Sequence, residues 1–354
     1  MWVTLALLLV GLLNLYSALN TWEEGGGVSN LFWSQCLWVG MGLLALIVFI
    51  VIDYRFLERL CWVIYFITLF LLLVTLLFGR EISGHKSWLM LGSLSFQPSE
   101  FAKLSLIFIL AKYFGDRPLP EGYGIYQLLK PLGLAMVPCC LILLGKDLGS
   151  ALFFPLIFGS IAWSAQIRRK TLAIFFVLIA TTAILGYNYA LSPYQKARVL
   201  TFINPTEDVR GTGYHLRQSK IAVGSGQFFG KGYLKGKINK LRYLPEKHTD
   251  FIFPVLAEEW GFFGSMIAVG LFGAFLFWAI QIAIKARERF GAFLGFGIAA
   301  LVFWQVVINL GGVLGIMPLT GVTLPFLSYG GSSLLVMLVC VGCLFNIHMR
   351  RFMF

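Results

Sequence analysis

The feature that most limits how this chain can fold is a train of apolar stretches, each near the length of one bilayer crossing. They run over 1–20, 31–52, 60–78, 99–111, 126–144, 149–165, 171–191, 265–284, 291–310 and 326–347. About 20 apolar residues in a helix cross a hydrocarbon core of ~30 Å. Ten such stretches predict an all-α polytopic membrane protein, with residues 1–354 forming one transmembrane domain. The chain is 58% hydrophobic and 12% charged, with a mean hydropathy of +0.82. No soluble domain needs that much apolar surface. The first stretch has no basic residues before it, which fits a first membrane helix rather than a cleaved leader.

Charge gives the expected topology. One set of connectors carries Arg55 and Arg59, Lys112 and Arg117, Arg168 to Lys170, Lys285 to Arg289, and Arg350 with Arg351. The other begins with Glu23 and Glu24 and includes 311–325. The positive-inside rule places the first set in the cytoplasm, with both termini. Much of the net charge of +12 is then topological and calls for no nucleic-acid partner. The segment 192–250 becomes a large extracytoplasmic loop between spans seven and eight. It holds eleven cations against four acids, +7 on the exterior side. Two readings fit: attraction to anionic membrane lipids, or a site for a phosphate-bearing substrate.

The same loop contains Gly224-Ser-Gly226 and Gly230-Lys-Gly232. Ser225 and the lack of a strand context exclude a phosphate loop, so these glycines are expected to permit turns or close backbone approach. The six cysteines lie in apolar segments, and Cys340-x-x-Cys343 lacks a second pair, so packing explains them better than metal. No His, Cys and Asp cluster has metal-site spacing.

The densest chemistry lies in Leu241–Gly264, where Glu246, Lys247, His248 and Asp250 meet the apolar run Phe251-Ile-Phe253. Ionisable groups beside hydrocarbon-seeking residues call for a functional reason. A full span fits within 265–284, so 250–260 is surplus to one crossing. Gly261 and Gly264 are expected to break the chain, leaving a short re-entrant or interfacial helix with Asp250 at its N-terminus. Asp250 is then either a helix cap or a general base, and the two roles are compatible.

Glu100 and Lys103, spaced i, i+3 in the fourth span, can pair on a face turned to the bundle interior, as structural pair or substrate contact. Glu258 and Glu259 read as structural. Lys146-Asp147 reads as a solvated turn. In Asn309–Ser333, glycines and prolines interrupt two helices, and Ser328 and Ser332 are expected on one face at i, i+4. That segment fits close packing of small residues, or a polar edge of an outer cavity.

These residues resemble the RodA/FtsW family, the polytopic SEDS proteins of bacterial elongation, division and sporulation. The matching motifs are Gln97-Pro-Ser-Glu100-x-x-Lys103; Asp147-Leu-Gly-Ser150; Gly211-Thr-Gly-Tyr214 through Leu244-Pro-Glu246-x-His248-Thr-Asp250 to Glu258-Glu259-x-Gly261; and Asn309 through Pro318 to Ser328-Tyr-Gly-Gly-Ser-Ser333. Lys146 and Pro254 depart from the pattern, where the family has Pro and a small residue. The short tails are more like RodA.

The resemblance implies a peptidoglycan glycosyltransferase that polymerises lipid II alongside a class B penicillin-binding protein. It maps the catalytic Asp onto Asp250 and the acid/base pair onto Glu100 and Lys103. In this reading Asp250 deprotonates the sugar 4-hydroxyl, and the leaving pyrophosphate is stabilised by Arg198, Arg210 or Lys220, with room for a divalent cation, Mg or Mn. Glu246, His248, Ser328 and Ser332 complete the expected substrate contacts. A precursor transporter and a scaffold for the penicillin-binding protein are the competing classes.

Overall fold

The computed structural model describes residues 1–20, 29–82, 85–91, 94–168, 170, 171, 173, 174, 212–236 and 247–351. The helices are α1 (Trp2–Leu19), α2 (Asn30–Val51), α3 (Tyr54–Phe78), α4 (Pro98–Asp116), α5 (Ile125–Leu144), α6 (Leu148–Ala151), α7 (Phe153–Ser164), α8 (Thr212–Ser225), α9 (Ile252–Ile284), α10 (Arg289–Leu314) and α11 (Gly331–Arg350). Among the described residues, α1, α2, α3, α5, α9, α10 and α11 are long and apolar enough to cross a membrane. The expectation of ten is thus supported at seven. The fourth stretch is α4, whose 19 residues include Glu100, Lys103, Lys112 and Asp116. The sixth is the shorter apolar stretch Leu148–Ser164, divided into α6 and α7. The seventh, 171–191, lies almost entirely outside the described residues.

The all-α expectation needs one correction. Between α3 and α4 the chain forms an antiparallel meander, β1 (Arg80–Ile82), β2 (His85–Leu91) and β3 (Leu94–Phe96). A connector of this length must satisfy its own backbone groups, and pairing strand to strand does so. Lys86 N also donates to Gly145 O at 3.0 Å, fastening β2 to the turn after α5.

The chain divides into two compact units, 1–35 with 173–275 and 305–330, and 36–172 with 276–304 and 331–354. In the second unit, α3 and α4 pack along each other, with Thr68 and Ser105 hydroxyls 2.8 Å apart. The α2–α3 link, the α9–α10 link and the last turn of α11 meet at one end of this unit. Arg55 pairs with Glu288 at 2.6 Å and Arg350 with Asp53 at 3.1 Å. Asn346 Nδ2 donates to the carbonyls of Phe49 and Ile50, both at 2.9 Å, taking up orphan groups at the end of α2.

The first unit is organised by a fault in α9. Gly261 is non-helical (φ 69, ψ −163), so α9 is two arms, 252–260 and 262–284. The break falls at the expected glycine, but the second arm begins at Phe262 rather than Ser265. Thr249 and Phe275 would stand about 39 Å apart on a straight helix. Instead both reach the turn at 325–328. Ser328 Oγ donates to Thr249 O at 2.6 Å, and the rings of Phe275 and Phe326 lie 5.7 Å apart. The two arms therefore double back on each other at Gly261.

The glycine loop after α8 stitches this bend. Lys231 N and Gly232 N donate to Glu258 O and Glu259 O, both at 3.0 Å. Phe262 N and Phe263 N donate to Gln227 O at 2.8 Å and Phe228 O at 3.1 Å. These are the groups a helix loses when it breaks. A Cβ on Gly226, Gly230 or Gly261 would collide with backbone across this junction. Close approach is what the glycine spacing predicts.

Candidate active site

Asp250 lies in the turn 247–251 that leads into the first arm of α9, two residues before the first helical position. Pro254 falls in the opening turn, where a missing N–H costs no helical bond. The turn is held by its carbonyls. Tyr329 N donates to His248 O at 2.7 Å, and Ser328 Oγ to Thr249 O. Asn309 Nδ2 donates to Asp250 O at 3.0 Å, and Asn14 Nδ2 to Ile252 O at 2.9 Å. These bonds engage the backbone of the turn.

The Asp250 side chain is partly exposed and faces Gly321, where a Cβ would stand 3.5 Å from Oδ2. Gly321 has φ +76, so glycine both permits the turn and keeps room beside the carboxylate. Asn309 Nδ2 also donates to Val322 O at 2.6 Å. One buried amide therefore ties Asp250 to the segment that floors it. Its Oδ1 is buried without a hydrogen-bond partner. Burial also raises the Tyr329 phenol above its ordinary pKa, so it stays protonated beside the His248 ring, 5.9 Å away.

The far end of the same arm is anchored by its two acids. Glu258 is fully buried and pairs with Lys231 at 2.6 Å. Glu259 accepts from Ser17 Oγ at 2.6 Å and from Leu234 N at 3.2 Å. Both acids act as structural residues.

Of the other expected contacts, Lys220 is exposed on α8, and its ammonium lies over Gly315 in the turn after α10, six residues before Gly321. Arg198, Arg210 and Glu246 lie outside the described residues. Ser328 and Ser332 do not share a helix face, which corrects the i, i+4 expectation. Ser328 belongs to the turn before α11 and also accepts from Leu324 N at 2.8 Å. Ser332 lies in the first turn of α11. Gly331 opens that helix, and the irregular backbone before it breaks the register.

In the second unit, Ser332 Oγ accepts from Gln97 N at 3.0 Å, closing the start of α4. Glu100 and Lys103 pair at 2.7 Å, 5% and 1% exposed, and Lys103 Nζ sits 4.5 Å from the Phe153 ring centre. Glu100 Oε2 is buried with no hydrogen-bond partner. A pair this dry is costly unless it is held in good geometry.

Sequence reasoning missed a polar network beside this pair. Asp147 caps α6 through Ser150 N (3.0 Å) and also accepts from Ser150 Oγ (2.9 Å) and Ser87 Oγ (2.8 Å). Ser87 and Ser99 line a small hollow of about 20 Å³ with Lys86, Thr75 and leucines of α3 and α5. The Asp-x-x-Ser spacing at 147–150 is a capping signal that a solvated-turn reading passes over.

Comparison with known proteins adds the following. Residues 1–352 match the model of the cell cycle protein family of FtsW, RodA and SpoVE. The chain is 35% identical over 352 residues to the peptidoglycan glycosyltransferase MrdB of Escherichia coli K12, covering 98% of this chain and 93% of that one. It is 36% identical over 352 residues to stage V sporulation protein E of Bacillus subtilis, covering 98% and 94%. A solved structure concerned with polymerisation and crosslinking by a peptidoglycan synthase complex superposes with a TM-score of 0.83 at 32% identity, covering 100% of this chain and 97% of that one.

Proposed function

The chain belongs to the FtsW, RodA and SpoVE family of cell cycle proteins, and from that premise we propose that it is a peptidoglycan glycosyltransferase. It polymerises lipid II at the outer face of the bacterial cytoplasmic membrane, for elongation and cell shape, with Asp250 as general base. The relative named MrdB carries the same activity in its name, which favours the enzyme over the transporter reading.

The observation that carries the role of Asp250 is the clamp on its backbone. The carbonyls of 248, 249, 250 and 252 are each bound by a neighbouring element, so the carboxylate is presented by a fixed turn. A base that is already in place pays no reorganisation cost as the proton moves. Asp250 takes the proton from the acceptor's sugar 4-hydroxyl. That oxygen attacks the donor's anomeric carbon, and the bond to undecaprenyl pyrophosphate breaks. One base and direct displacement give inversion at that carbon, by analogy with inverting glycosidases.

The leaving diphosphate gathers negative charge. Lys220, whose ammonium lies over Gly315, and the loop cations Arg198 and Arg210 are the groups assigned to it. Glu246 and His248, which precede the base in the chain, Ser328, which shapes its turn, and Glu100, Lys103 and Ser332 are each assigned as substrate contacts. Among the described residues no three His, Cys, Asp or Glu side chains gather to hold a metal. No resident metal is proposed; a divalent cation, Mg or Mn, would serve, if the reaction uses one, to neutralise the charge on the leaving diphosphate. The partner is a class B penicillin-binding protein, which supplies crosslinking.

The test is purified protein with lipid II and its partner, wild type against Asp250→Ala. Glycan ladders from the wild type alone support the reading. Equal ladders from both overturn it.

A further inference from the structure

The loop that follows α8 carries two adjacent phenylalanines that pack into no core. Phe228 is 69% exposed and Phe229 is 86% exposed. On a water-facing loop such rings are unfavourable, at about 25 cal/mol for each Å² of apolar surface. Their position explains them. The loop's backbone is bonded to the bend of α9, and the Phe228 ring meets Phe262 at 5.8 Å. Phe262 and Phe263 open the second arm and are also more than half exposed. Met266 and Ile267 continue the same outward apolar surface along that arm.

Length fixes the depth. The second arm, 262–284, has 23 residues and measures about 34 Å, slightly more than the hydrocarbon core. Its first residues therefore lie at the outer boundary of that core, and the loop bonded to them lies there too. We propose that residues 226–233 form a wedge inserted into the outer leaflet, with Phe228 and Phe229 among the upper acyl chains. The occupant of this surface is bilayer lipid. Exposed Lys235, on the side of the loop away from the phenylalanines in sequence, meets the headgroup phosphates. Lys231 is turned back to Glu258 and does not compete for them. A segment counted from its charges as an exterior loop is thereby anchored in the membrane, and it holds the hairpin that presents Asp250.

The experiment uses full-length protein with its six native cysteines replaced, in liposomes containing anionic lipid and without any partner protein. A nitroxide is attached at Phe229→Cys, at Lys235→Cys and at Phe263→Cys. Its collisions with oxygen, which concentrates in hydrocarbon, are compared with collisions with a water-confined nickel chelate. The proposal expects oxygen to dominate at 229 and 263 and nickel at 235. Nickel dominating at 229 while oxygen dominates at 263 overturns the wedge and leaves the membrane helix standing. A label at 229 sheltered from both reagents also overturns it, because protein rather than lipid then covers the loop. Phe229 has little packing to lose, so this substitution is compatible with folding.

Discussion

At the scale of single residues, the central contrast is between Asp250 and the side chains that hold it. Asn309 touches the Asp250 backbone and not its carboxylate. Asn309→Ala should leave lipid II affinity near wild type but lower turnover about 10²-fold, the usual cost of a base displaced by ~1 Å. A split between kcat and KM in a polymerisation assay checks this, since a merely structural loss would lower the amount of folded enzyme instead. Glu100 and Lys103 make a different case. Lys103→Met alone strands a buried carboxylate and should cost about 3–5 kcal/mol. The double variant Glu100→Gln, Lys103→Met should recover much of that loss in thermal unfolding in detergent. No recovery would mean that the pair is not the main source of the cost. The Asp250 motif and the Glu100–Lys103 pair were legible in the sequence because ionisable groups stand out against an apolar background. The Asp147–Ser87 contact was not, because it joins residues 60 positions apart through a strand that hydropathy does not announce.

At the scale of elements, the broken helix α9 carries the argument. Gly261 has a positive φ and backbone from the 226–232 loop against its Cα. Gly261→Ala should therefore cost at least the ~1–2 kcal/mol of a left-handed non-glycine residue, plus the collision. The expected outcome is a sharp loss of folded protein, read by size-exclusion chromatography. Gly270→Ala, in open space on the same helix, should change little. The break was readable from surplus length and paired glycines. Its partner loop was readable only as a place where backbones come close, since nothing local says which backbone. The meander of β1 to β3 was missed although Ser-Gly at 83–84 and Gly-Ser at 92–93 are dipeptides that read in a sequence as turn signals. The Leu- and Trp-rich strands between them looked like ordinary connector. Ser328 and Ser332 were assigned to one helix because spacing assumes a continuous helix, and Pro325 with Gly330-Gly331 ends that assumption.

At the scale of the whole molecule, the membrane class was legible through apolar length, and the expected topology rests on the sidedness of cations. The meeting of Arg55, Glu288, Arg350 and Asp53 at one end of the second unit fits their assignment to one side of the membrane. A cysteine at Arg287 should react with an impermeant maleimide only after cells are opened, and one at Lys235 in intact cells. The reverse pattern would invert the topology. The central claim is that Asp250 is the base of lipid II polymerisation, and it is tested most directly by Asp250→Asn in the complex with the penicillin-binding protein, with lipid II binding and turnover measured on the same preparation. The account predicts binding within a few-fold of wild type and turnover lower by about 10²–10⁴. Turnover close to wild type, with Asn in place of the carboxylate, would contradict it.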